Sequence, residues 1–162
     1  MIMKQHLIKI LLLAFLILPT VSKAQQQVDS NQMSIRAFYS SYAVIYQSPN
    51  FDDFYKKYSA LLDEYASSSF KQSILSGLDA PNIPPLDIAT DDNGIQAQYL
   101  GNLKVEKRGA YYLVSYPIYD SDTNKYIEIG LDVTLDSHGK IQSVSGSYTK
   151  EINNPTDINK HQ

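Results

Sequence analysis

The side chains of this chain that are able to do chemistry are carboxylates and tyrosines. The 162 residues include 17 Asp+Glu, 14 Lys+Arg and 13 Tyr, with three His, no Cys and no Trp. Without Cys there is no thiolate zinc site, no Cys nucleophile, no iron–sulfur cluster and no disulfide framework. His6 lies in the N-terminal segment, His138 in a turn and His161 in the tail, so neither a Ser-His-Asp triad nor a His-based metal site has material. The glycines are scattered and form no Gly-x-x-x-x-Gly-Lys phosphate loop. No cofactor, metal or catalytic residue is assigned.

Two acidic clusters invite a cation reading. Asp87, Asp91, Asp92 and Asn93 crowd one loop, an oxygen-rich set whose natural ion would be calcium. Asp120, Asp122 and Asn124 alternate as at the start of a calcium loop. There Lys125 stands where the sharp turn needs Gly, and Leu131 where a bidentate Glu is required. That segment reads as a polar hairpin loop.

The tyrosines admit two readings. Their positions on apolar stripes suit an aromatic core, each ring buried and its hydroxyl reaching a polar partner. They also suit a pocket between sheet and helices, with Tyr112, Tyr116 and Tyr148 presenting hydroxyls and Asp87 a carboxylate to a ligand. An Asp base beside a Tyr donor in an apolar pocket is isomerase-type chemistry, but no spacing singles out one pair.

The elements that must position these residues follow from hydropathy. Met1 to Ala24 has the build of a secretory signal peptide: Lys4 and Lys9, the apolar run Ile10–Leu18, then Pro19 and Ser22-Lys23-Ala24, with cleavage between Ala24 and Gln25. The run is nine residues, against about 20 for a membrane span. Cleavage removes three Lys and no acid, leaving 11 basic against 17 acidic residues, a charge of −6. A secreted chain without Cys suits the periplasm or exterior of a bacterium with two membranes. This balance argues against nucleic acid. The densest basic cluster, Lys104, Lys107 and Arg108, is interrupted by Glu106 and reads as a charged strand edge.

Residues 25–31 read as a flexible leader, 32–150 as one domain and 151–162 as a flexible tail. Within the domain the apolar period switches once, near position 95. Ile35, Phe38, Tyr39, Tyr42, Ile45 and Tyr46 recur at helical spacing, as do Phe54, Tyr55, Tyr58, Leu61, Leu62 and Tyr65. Ser48-Pro49-Asn50 separates them, and the serines at 67–69 offer an N-cap to a third helix carrying Phe70, Ile74 and Leu75, with Gly77 as its stop. Asp79 to Gly94, with three prolines, reads as a loop.

Past it, Ile127, Ile129, Leu131, Val133 and Leu135 alternate with polar residues, and Tyr112, Val114, Tyr116 and Ile118 form a second row. Pro117 marks an edge position or a bulge. Leu103 with Val105 and the set Val144, Gly146 and Tyr148 complete about four strands joined by short turns, hence an antiparallel meander. The class is α+β, with about three N-terminal helices packed on a curved antiparallel sheet, cone-like in outline.

This order resembles the nuclear-transport-factor-like, cystatin-like superfamily, and within it small secreted bacterial domains of unknown function. The resemblance rests on the aromatic first helix (Phe38-Tyr39-Ser40-Ser41-Tyr42), on Leu61–Tyr65 leading into Ser69-Phe70-Lys71, on the acidic loop Pro85-Leu86-Asp87 with Asp91-Asp92, and on the strand–turn–strand from Leu131 to Val144. It implies a cone fold with a pocket at its mouth and no particular activity. The expected function is a soluble, non-enzymatic envelope binding module, monomer or homodimer, taking a protein partner (an immunity-type role against a toxin is one form) or a small ligand, and needing no membrane after cleavage. The alternatives are a small-molecule enzyme with an Asp/Tyr pocket and an accessory module without ligand.

Overall fold

A computed structural model of the chain describes residues 29–78, 88–91 and 94–155. Ala24, Gln25 and Asp87 lie outside the described residues. Helices α1 (Ser30–Ile45), α2 (Phe51–Tyr65) and α3 (Ser68–Leu78) precede strands β1 (Lys104–Arg108), β2 (Tyr111–Asp120), β3 (Lys125–Leu135) and β4 (Ile141–Ile152). The strands form one antiparallel sheet in the order β1-β2-β3-β4. The segregated α+β meander is therefore the architecture, with the sheet left open.

Each helix starts on a side-chain acceptor. The Asp29 carboxylate accepts from the Asn31 N–H at 3.0 Å, the Asn50 carbonyl from the Asp53 N–H at 2.8 Å, and Ser67 Oγ from the Phe70 N–H at 3.3 Å. Each satisfies one backbone donor the helix cannot pair itself. Two boundaries differ from expectation. Because Asp29 caps α1, the last residues of the expected leader are ordered. Gly77 lies inside α3, which runs on to Leu78; a glycine in a last turn costs only about 1 kcal/mol and does not force a stop.

Two short 3₁₀ turns lead into the sheet, Ile88–Thr90 and Ala97–Asn102. Just before the second, the Gln96 amide acts as a piece of strand. Its Nε2 donates to the Tyr119 carbonyl and its Oε1 accepts from the Tyr119 N–H, both at 3.1 Å. β1 stops pairing at Lys104 opposite Ser115, so the β2 backbone beyond has lost that neighbour. Pro117 sits on this stretch, two residues before Tyr119. Its nitrogen faces the same vacated side, and its missing N–H costs no ladder bond.

The register sorts the sheet into two faces. Tyr112, Val114, Tyr116 and Ile118 stand opposite Val133, Leu131, Ile129 and Ile127, the row that turns toward the helices. Phe38, Tyr39, Tyr42, Tyr58, Leu62 and Ile74 meet it from the helical side, all fully buried. The Tyr39 and Tyr116 rings lie 6.4 Å apart, and the Tyr39 hydroxyl donates to the Ala89 carbonyl at 2.9 Å, fastening the first 3₁₀ turn to α1. Burying such side chains stabilises by about 1.5–3 kcal/mol each.

The turns match their residues. Asp120 accepts from the Asp122 N–H and from the Thr123 hydroxyl, closing the polar hairpin loop. Asp136 accepts from the N–H groups of His138 and Lys140, and Gly139 takes φ +75°. β4 extends to Ile152, two residues into the expected tail, because Ile152 pairs with Tyr126 and Lys125 reaches Glu151 at 2.7 Å.

Candidate functional site

The tyrosines expected to share a pocket are divided by one residue. Val144 pairs with Val133 and Gly146 with Leu131, so both face the helices; Tyr148 pairs with Gly130 and faces the other way. Ser147 is the extra residue of a β-bulge between them, and one inserted residue exchanges the faces of everything beyond it. Val144, Gly146 and Tyr148 thus all lie on the last strand, as expected, but are split between its two faces.

Tyr112 and Tyr116 do share a face, in the core, at 5% and 1% exposure. The Tyr112 hydroxyl donates to Asp29 at 3.0 Å and accepts from the Asn31 amide at 3.3 Å, tying the start of α1 to β2. Burial alone would raise the Asp29 carboxyl. The bonds from Tyr112 and from the Asn31 N–H, with Lys107 at 3.5 Å, outweigh it and hold the group below its ordinary value.

Tyr148 lies on the uncovered face. Its ring crosses Gly130: a Cβ there would stand 2.3 Å from the ring, so only glycine lets the aromatic lie flat on the neighbouring strand. Its hydroxyl donates to Glu128 Oε1 at 2.9 Å. Burial first, then the bond to Glu128, raises this phenol above its ordinary value, against an opposing contribution from Ser115. Tyr148 is thus a fixed hydrogen-bond donor and aromatic plate.

Around it the register sets Lys150 opposite Glu128, Lys104 opposite Ser115, and Glu106, Leu113, Asp132 and Ser145 in one row. Tyr111 and Tyr148 are the large hydrophobic side chains exposed here. Asp132 carries the unusual atom: its Oδ1 is buried and accepts no hydrogen bond among the described residues. A buried acceptor of this kind costs about 1–3 kcal/mol until a donor reaches it.

At the bulge the two faces meet in a shallow cleft of about 250 Å³, lined among others by Asp91, Gly146, Tyr148 and Thr149. Asp91 takes φ +49° and rests its carboxylate on Gly146, where a Cβ would stand 2.3 Å away. A larger groove of about 440 Å³ between α2 and α3 has Asp63 and Lys71 as its charged lining, already paired at 2.6 Å.

Glu128 and Asp132 were not expected as site residues, and Asp91 was expected only as an oxygen ligand in the acidic loop, not beside Gly146. The signal available was the pair of strand glycines, Gly130 and Gly146, since a glycine inside a strand marks the close approach of another group. Among the described residues no group of three or more His, Cys, Asp or Glu is placed to hold a metal ion, and no helix is long and apolar enough to cross a membrane. No family model, curated protein or solved structure matches this chain.

Proposed function

We propose that this protein is a secreted envelope binding module that takes a protein partner on the sheet face turned away from the helices. The observation that carries the reading is Asp132 Oδ1, a buried acceptor that no donor reaches among the described residues, on a face that also presents Tyr111, Leu113 and Tyr148. A partner's N–H, amide or cation placed there removes a desolvation penalty the free protein bears, so binding gains more than the new contact alone. Exposed aromatics among acceptors and cations are the mixture that protein interfaces favour at their centres. An acidic chain would meet a basic partner fastest, and an immunity-type role against an incoming toxin fits that charge. The signal-like segment supports export to the periplasm or exterior.

The test is capture from envelope extract by the purified mature protein, read by mass spectrometry. Asp132→Ala removes the acceptor without disturbing the core, and the same partner is then lost or weakened at least tenfold. Retention of the partner at wild-type affinity by Asp132→Ala overturns this face as the site. Capture of nothing above background by the wild type counts against the binding reading itself.

A further inference from the structure

The sheet has two edges, and they are finished differently. On β1 four of five residues are charged, in the sequence Lys104-Val105-Glu106-Lys107-Arg108. The backbone there is also capped from α1: Gln32 donates to the Val105 carbonyl at 2.9 Å and Arg36 to the Leu103 carbonyl at 2.5 Å. Short length, charge and capping are how proteins close an edge against another strand.

β4 is the opposite case. It has 12 residues, and nothing from Ile141 through Thr149 is charged. On its outer side, among the described residues, one backbone bond is made, from the Ser67 N–H to the Ile141 carbonyl at 2.9 Å, beside the single bridge Ala66↔Ile141. Farther along, Asp91 rests on Gly146. The stretch 147–151 is solvent-exposed throughout.

We propose that this stretch of β4 is a docking edge and that its occupant is the same stretch of a second copy, joined antiparallel about a two-fold axis at Thr149. A two-fold axis normal to the sheet keeps each face on its own side, so residues that meet must be of equal parity. Centred on Thr149, the axis sets Thr149 against itself, Tyr148 against Lys150 of the second copy twice over, and the uncharged Ser147 against Glu151. No like charges meet in that register, and each Tyr148 ring receives an ammonium group. Centred one residue further, the axis would oppose two lysines. The lysine pair excludes that register, and of the possible axes only the one on Thr149 sets each Lys150 ammonium opposite a Tyr148 ring. The dimer joins two four-stranded sheets into one and makes the two uncovered faces continuous; it does not depend on which partner those faces take.

The absence of Cys makes a clean test. Directly opposed Cα atoms in antiparallel strands lie about 4.5–5.5 Å apart, inside the range a disulfide spans. Thr149→Cys, oxidised at micromolar concentration, gives a covalent dimer, whereas Thr134→Cys on β3 stays monomeric under the same conditions. Light scattering shows the unmodified protein shifting from monomer to dimer mass with concentration. Thr149→Lys, which opposes two charges at the axis, raises the dissociation constant at least tenfold while leaving the circular dichroism spectrum unchanged. A wild-type protein that stays monomeric to high concentration, or a Thr149→Lys variant that dimerises as before, overturns the proposal. So does a dimer that Thr149→Cys fails to cross-link.

Discussion

Leu131 and Asp132 are neighbours in the chain and belong to different environments. Leu131 is fully buried between β2, β4 and the helices; Asp132 stands half-exposed on a face the helices do not reach. The helix-covered face is a dense apolar layer in which tyrosine hydroxyls are tied to polar partners, as Tyr112 is to Asp29 and Tyr39 to the Ala89 carbonyl. The other face is thinly packed, with an aromatic laid over a glycine and, among the described residues, a buried acceptor without a hydrogen bond. A sheet needs only one packed face to be stable. The second is free to be selected for contact with something else.

The contrast is sharpest under truncation. Leu131→Ala should cost about 2–5 kcal/mol of stability, the range for a buried leucine whose cavity cannot fully collapse. Urea unfolding checks it, and a loss no larger than that of an uncovered-face variant would break the distinction. Gly130→Val tests the uncovered face where it is tightest. The new side chain must displace the Tyr148 ring, costing about 1–3 kcal/mol. Because burial and Glu128 raise the Tyr148 phenol, releasing the ring should bring its ultraviolet titration back toward the ordinary tyrosine value.

Tyr112→Phe leaves the core filled and removes one hydroxyl, so about 1 kcal/mol is expected. Its pH signature is more telling. Asp29 titrates below its ordinary value of 3.8 when folded, so its contribution is fully present above that pH and is lost as the pH falls through the folded value. Asp53, Asp120 and Asp136 are lowered as well and act with the same sign. Thermal unfolding between about pH 5 and pH 2 should therefore show a steep loss in the wild type and a shallower one in Tyr112→Phe. The smallest effect belongs to Thr134→Ala. Its hydroxyl bond to Ser143 is exposed, and the change should stay within about 0.5 kcal/mol by the same urea assay.

Much of the fold was legible because alternation and helical spacing are strong signals when one face is buried. β3 showed its sides residue by residue, and Ser67, Asn50 and Pro117 acted locally as their chemistry dictates. What escaped was set by single residues or by distant contacts. The bulge at Ser147 leaves no mark in hydropathy, yet it moved Tyr148 to the other face. The 3₁₀ turn Ala97–Asn102 is too short for a periodic pattern, and the role of Gln96 depends on where β1 happens to end. Asp29 looked like part of a polar leader because its partner, Tyr112, lies 83 positions away.

The meander order also has a bearing on how the chain acquires its shape. Its β hairpins close locally, between consecutive strands, and can form without the rest of the molecule. The aromatic stripes of α1 and α2, however, leave the ribosome first and must wait for the strands from Tyr111 onward to supply the surface they cover. Phe38, Tyr39 and Tyr42 are then the side chains a holding chaperone would meet, and the folding rate should track the closing of the β3–β4 turn at Asp136 more closely than the helical content of the N-terminal half.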